Sequence, residues 1–291
     1  MTAGDIAAVP ARRRRARRFV GLGLGWSLLA VGFLLAFFLL PLIDNGIKSF
    51  FGPDGFSTAP YRKLLSDPYY LAVTWRTLQV SAIVTVASLL VGYPVAYFFV
   101  RYAGRWQTLM IMLLIAPLLT SIIMRTFGWQ VLFARRGVVN VVLRDLGIIE
   151  RPLNLVNDPA MVYVGLVHVL VPFMVLSIAA VLQRIDPRLE ESAMILGAGR
   201  LRAFLSVTLP LSLDGVATGC ILVFMLTNGS FITMLLLGGG NVVTLPLLIY
   251  QQFNLTRDTA FAGAMGNVLL VFAVACLFVQ LRLIARRGVK A

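Results

Sequence analysis

The segment 186-DPRLEESAMILGAGRLRAFLSVTLP-210 decides how the rest of the chain is read. It is polar-rich and lies between two strongly apolar runs. Asp186 is a suitable N-cap, and Pro187 suits the first helical position. Leu189, Ala193 and Leu196 recur at i, i+4 and i+7, which predicts one apolar helical face with Glu190 and Glu191 pointing away from it. Gly197 and Gly199 supply a stop and a turn. A second helical pattern follows, with Leu201, Phe204, Leu205 and Thr208 on one side and Arg200 and Arg202 elsewhere. Pro210 leads into the next apolar run. Two short helices held between membrane spans suit docking onto a soluble partner.

The surrounding sequence supplies those spans. Of 291 residues, 59% are hydrophobic and 13% charged, and the mean hydropathy is +0.88. Apolar windows lie near 20–43, 77–99, 106–124, 160–182, 215–237 and 260–281. Each approaches or exceeds the roughly 20 helical residues that cross a bilayer core. Their apolar runs are continuous rather than alternating, which excludes a β-barrel. The expected fold is all-α, a polytopic membrane protein with about six transmembrane helices. Between the third and fourth spans, TFGWQVLF and GVVNVVLRDLGII are apolar but too short to cross. They predict two outer interfacial or re-entrant helices in 125–159, with Trp129, Leu132 and Phe133 on one face and Arg135 and Arg136 between. Pro117 is expected to kink the third span.

Charge gives the orientation. With a cytoplasmic N-terminus, sixteen of the 26 Lys and Arg residues fall inside: at 12–18, at Arg101 and Arg105, in the 184–202 loop, and at Arg282, Arg286, Arg287 and Lys290. That is the positive-inside pattern. The net charge of +14 is therefore read as topology and contact with anionic lipid, not nucleic-acid binding. The basic cluster precedes an apolar run too long for a signal peptide, so it reads as an uncleaved anchor. Gly21 and Gly25 follow at a spacing that permits close helix approach.

No constellation supports catalysis. Cys220 and Cys276 sit inside apolar runs, and His168 is the only histidine, so neither a metal site nor a nucleophile with its base is built. The run Gly238-Gly239-Gly240-Asn241 lacks the Gly-Lys-Ser/Thr of a phosphate loop and is expected to be a flexible outer turn. The chain thus reads as a transport subunit, not an enzyme. The fifth span opens with Asp214 and places Gly215 and Gly219 one turn apart. Its centre carries Thr227, Asn228, Ser230 and Thr233. With His168, these are the candidates for a translocation path, small-residue helix packing being the alternative. No span interior holds a carboxylate.

Glu191, Ser192, Ala193, Gly197, Val207, Leu209 and Pro210 fill, without a gap, the pattern E-A-A, three residues, Gly, nine residues, Ile, any residue, Leu-Pro. Ser192 for Ala and Val207 for Ile are mild departures. The segment resembles the EAA loop of permease subunits of binding-protein-dependent type I ABC importers. The insertion at 125–159 and the run LGGGNVVTLPLLIYQQF resemble the spermidine/putrescine-type members in particular. The resemblance covers about 70–285. It implies a permease domain over 19–285 with a coupling loop at 183–210, flanked by basic cytoplasmic tails at 1–18 and 286–291. It assigns ATPase coupling to Glu190, Glu191, Ser192, Ala193, Gly197, Ala198, Leu209 and Pro210. It implies a separate ABC ATPase carrying ATP and Mg, no cofactor in this chain, a second and non-identical permease, and a soluble substrate-binding protein. It places the chain in the bacterial inner membrane with both termini cytoplasmic. A polyamine is the implied solute, an opine or amino-acid-like solute the alternative, and a stand-alone secondary carrier the more distant one.

Overall fold

The computed structural model describes residues 12–52 and 55–288, with backbone alone at 12–26 and in most of 280–288. The expected tails are therefore described only in part, and Gly21 and Gly25 fall where no side chain is described. The elements run α1 (Arg12–Lys48), a two-residue ribbon β1 (Phe51–Gly52) and β2 (Gly55–Phe56), α2 (Ala59–Ser66), α3 (Pro68–Arg101), α4 (Gln107–Leu119), α5 (Ile122–Phe133) and α6 (Val138–Asp145). They continue with α7 (Pro159–Leu182), α8 (Arg188–Ile195), α9 (Arg200–Ala203), α10 (Leu209–Asn228), α11 (Ile232–Gly238), α12 (Leu245–Gln251) and α13 (Thr259–Gly288). Five helices among the described residues are long and apolar enough to cross a bilayer, or six if the bent α4–α5 pair counts as one span.

The centre of the bundle is α3, α7 and α10, which share one apolar core containing Val84, Ala96, Leu166, Val175, Ile178 and Val223. Small residues let these helices close on one another. Met174 of α7 lies between Gly92 of α3 and Gly219 of α10; a Cβ added at either glycine would stand 2.8 Å or 2.7 Å from it. Gly215 meets Val181 in the same way at 3.0 Å. Close backbone approach through small residues is how apolar helices gain packing where lipid offers no hydrophobic advantage. At about 1.5 Å per residue, the 34 residues of α3 span more than a bilayer core of ~30 Å. Part of α3 therefore extends beyond the apolar slab.

Two expectations from hydropathy are corrected. The third span is not continuous over 106–124: Thr120 and Ser121 are extended, and the chain bends by 97° there. Pro117 prepares the break, since its carbonyl receives the Thr120 N–H at 3.4 Å and hydroxyl at 2.9 Å instead of continuing the helix. The fifth span is displaced: its helix begins at Arg200 and ends at Asn228, and 232–238 forms the separate α11. Hydropathy averages over polar ends and so misplaced both boundaries. Beyond the glycine run, expected as an outer turn, the chain re-enters the bundle. Val242, Thr244, Leu245, Leu247 and Leu248 are buried, and α12 enters the bundle with the Leu245 N–H donating to the Thr77 hydroxyl at 2.8 Å. The glycine run is pinned as well, because Asn241 Nδ2 donates to the Asn157 carbonyl at 2.8 Å.

The 125–159 segment folds as two short helices. Arg135 and Arg136 lie between them, and Trp129 stacks on Phe133 with ring centres 5.0 Å apart. Buried Asn140 ties the return chain to α6, donating to the carbonyls of Ala134 and Leu153 at 3.0 Å each and accepting from Leu153 N–H at 2.7 Å. At the far margin α1 packs on α13 and exposes its apolar residues. That surface faces lipid if the bundle spans a membrane.

Candidate functional site

The 186–210 segment forms one end of the bundle. Asp186 Oδ1 accepts from Arg188 N–H at 2.9 Å, starting α8. Gly197 ends it at φ +92, a conformation that side chains rarely adopt. The Gly197 and Ala198 N–H groups close on Met194 and Ala193 carbonyls at 3.0 Å each. Gly199, at φ −65, starts the next helix without a positive φ. Ile195 and Leu196 are 85% and 88% exposed, and Leu189, Met194, Leu201 and Leu205 are also exposed. Exposed apolar side chains in such a group mark a docking surface more often than a bare protein face. Glu191, Ser192 and Gly197 share this exposed side, with Ala193 and Ala198 half-buried beneath them.

The second helix is not separate from the next span. A π-turn at Phe204–Thr208 carries α9 into α10, so Arg200–Asn228 runs as one rod of 29 residues. The π-turn has a local cause. Pro210 lacks an N–H and its ring crowds the carbonyl four residues back, while Leu209 N–H reaches back to the Phe204 carbonyl. The predicted single side of 201–208 is thereby divided: Leu201 and Leu205 face out, whereas Phe204 is half-buried and Thr208 buried.

Glu190 lies on the inward side of α8. Its carboxylate accepts from the Tyr97 hydroxyl at 3.0 Å, from Arg101 at 3.4 Å, and from the Thr208 hydroxyl. The two charged side chains are only 9% and 15% exposed. Arg101 also donates to the Ile185 carbonyl at 3.1 Å, just before α8. One turn further along α3, Tyr93 bonds Ser212 at 2.7 Å. The Phe204 ring meets Tyr93 and Tyr97 edge-on at 5.6 Å and 5.3 Å. Tyr93, Tyr97 and Arg101 thus form an i, i+4, i+8 stripe on α3 against Phe204, Thr208 and Ser212 at the same spacing. Removing one member of a buried ion pair leaves the other uncompensated, at a cost of about 3–5 kcal/mol. The stripe is visible in the sequence once its partner stripe is known; helix spacing alone did not single it out.

The predicted path residues do not converge on one point. Thr227 is buried and returns its hydroxyl to the Val223 carbonyl at 2.8 Å. Thr233, on α11, is buried near Gly165. Asn228 donates to Phe224 O at 3.0 Å, while its Oδ1 has no partner among the described residues. It borders a cavity of about 220 Å³ between α10 and α13, with Phe224, Leu269 and Cys276. Ser230 lies half-buried in the break after it. His168 instead faces α5, where the Trp129 indole N–H donates to its Nδ1 at 3.4 Å.

The opposite end is held by neutral groups. Asn267 of α13 accepts from Asn45 of α1 at 3.0 Å, and donates to Ser49 at 3.0 Å and to Tyr61 of α2 at 2.7 Å. Beside this knot a cavity of about 690 Å³ is bordered by Arg62, Lys63, Asp67 and Asp258, with Lys63 Nζ 4.5 Å from the Phe261 ring centre.

This architecture has close counterparts among solved structures. A chain of a bacterial ABC transporter that imports the acidic polysaccharide alginate superposes with a TM-score of 0.75, at 18% identity, over 95% of this chain and 99% of that one. A chain of the MetNI methionine ABC transporter gives 0.56 at 17% identity, over 74% and 94%. No family model matches the chain. The fold is the one found in these ABC transporter chains. Curated relatives narrow the class. The chain is 34% identical over 218 residues to the spermidine/putrescine transport system permease protein PotB of Haemophilus influenzae, covering 75% of this chain and 76% of that protein. It is 33% identical over 257 residues to PotB of Escherichia coli, covering 83% and 93%. The chain belongs to the PotB permease family.

Proposed function

We propose that this permease imports a polyamine such as spermidine or putrescine across the bacterial inner membrane, with both termini and the 186–210 loop on the cytoplasmic side. A separate ABC ATPase, which carries the ATP and Mg, docks on the exposed apolar face of α8. The observation that carries this reading is that face itself: Ile195 and Leu196 stand almost fully exposed beside the sharp stop at Gly197. A soluble partner covering them removes a large apolar surface from water. Glu191 and Ser192 supply polar contacts at its rim, and Leu209 and Pro210 set the π-turn that joins the docked face to α10. A soluble binding protein delivers the solute at the opposite end, where Arg62, Lys63, Asp67 and Asp258 offer mixed charge. A second, non-identical permease completes the path. Asn228 and Ser230 line this chain's side of it. The Asn228 carbonyl oxygen is a neutral acceptor for an ammonium group passing along this helix. The names of the PotB relatives support the polyamine class.

Reconstituting the complex in proteoliposomes with labelled spermidine or putrescine tests this reading. ATP-dependent accumulation that disappears when the binding protein is omitted is the expected result. Accumulation of neither polyamine, with the ATPase bound and active, would refute the substrate class.

A further inference from the structure

We infer that Glu190 is a positioning residue. It fixes α8 to α3 and to the α9–α10 rod, so that a push on the docked face moves the central helices as one body. The inference rests on the docking reading above, and assigns Glu190 to the inside of the permease and not to the ATPase contact.

Four observations converge. The Glu190 carboxylate is shared by three elements: Tyr97 and Arg101 of α3, Thr208 of the π-turn, and α8 itself. Arg101 grips the same joint twice, because it also holds the Ile185 carbonyl at the foot of α8. The neighbouring Glu191 is exposed, so two adjacent carboxylates have opposite surroundings. The joint sits where the rod has a π-turn, a place at which a helix is widened and its backbone bonds are rearranged. Without a clamp there, motion of α8 dissipates in the turn before it reaches α10. A charged, desolvated, multiply bonded carboxylate is a directional tether, stronger than neutral hydrogen bonds and specific in geometry. α3 and α10 both pack on α7 through Met174, so the clamp links the docking helix to all three core helices.

The test uses the complete importer with its ATPase, second permease and binding protein. Three quantities are read for Glu190→Ala and Glu190→Gln: ATPase retained per permease, ATP hydrolysed in the presence of loaded binding protein, and solute imported per ATP. For Glu190→Ala the expected result is full ATPase retention with solute imported per ATP reduced about tenfold. Glu190→Gln keeps one of the two acceptor oxygens without the charge and gives an intermediate loss. The exchange Glu190→Arg with Arg101→Glu restores part of the yield per ATP that Glu190→Arg alone abolishes. If Glu190→Ala does not accumulate in membranes, the Gln variant and the exchanged pair decide. Loss of the ATPase from the Glu190 variants would make Glu190 a docking contact and overturn the inference, as would an unchanged yield per ATP. A wild-type complex that never retains an ATPase would instead refute the docking reading.

Discussion

The two ends of the bundle are held together by different chemistry. At the α8 end a withdrawn ion pair, Arg101 with Glu190, binds a short helix whose outer face is apolar and bare. At the α2 end Asn45, Asn267, Ser49 and Tyr61 join three elements with neutral amides and hydroxyls; the ion pair nearby, Lys48–Asp44 at 2.7 Å, is exposed. Exposed pairs of that kind contribute at most about 1 kcal/mol. The α2 end is tied as a static joint. The α8 end combines an internal tether with an uncovered surface, as an element that receives force from outside the chain requires.

The contrast is broken most strongly at Gly197. Its φ of +92 disfavours any side chain, and Gly197→Arg adds strain on the order of 1–3 kcal/mol besides bulk on the docking face. Uptake is expected to vanish and the ATPase to be lost from the purified complex, while the permease still reaches the membrane, as quantified by immunoblot. Next comes the core that links both ends. In Gly219→Leu the new side chain must displace Met174, at a cost of about 1–3 kcal/mol; a lowered melting temperature in detergent, partly restored by Met174→Ala, is the expected outcome. At the α2 end Asn267→Leu removes bonds to Asn45, Ser49 and Tyr61 and costs about 1–3 kcal/mol. Here thermal stability falls but solute imported per ATP stays at the wild-type value; a fall in that ratio would erase the distinction between the ends. The smallest effect is expected at Trp129→Phe, which removes the indole donor from His168 while keeping an aromatic ring: roughly 1 kcal/mol or less in thermal unfolding, with uptake unchanged.

Much of this was legible in the residues. The pattern from Asp186 to Pro210 marked a short helix with a stop at Gly197, and the apolar windows marked the core helices α3 and α7 close to their centres. The 125–159 arginines between two short helices were also readable from pattern. What pattern could not give is partnership across the chain. Glu190 reads as one more polar position on an exposed helix until Arg101, 89 residues earlier, is placed beside it. Likewise the apolar run of α12 is too short to reveal its place, and its burial follows from the Thr77 hydroxyl and from packing with Leu64, Val73, Phe261 and Met265. The ends of α4 and α10 were missed for a local reason. Window-averaged hydropathy does not register that Thr120 and Ser121 turn extended, or that the helix stops at Gly229 within a longer apolar run.

The central claim is that the bare face of α8 is covered by an ATPase. Purification of the tagged chain from native membranes in mild detergent, with mass spectrometry of what accompanies it, tests this most directly. The account predicts an ABC ATPase and a second permease in stoichiometric amounts with the wild type, and the permease without the ATPase in Gly197→Arg. Wild-type protein that carries no ATPase under several gentle detergents, or Gly197→Arg protein that retains it in full, would contradict the account.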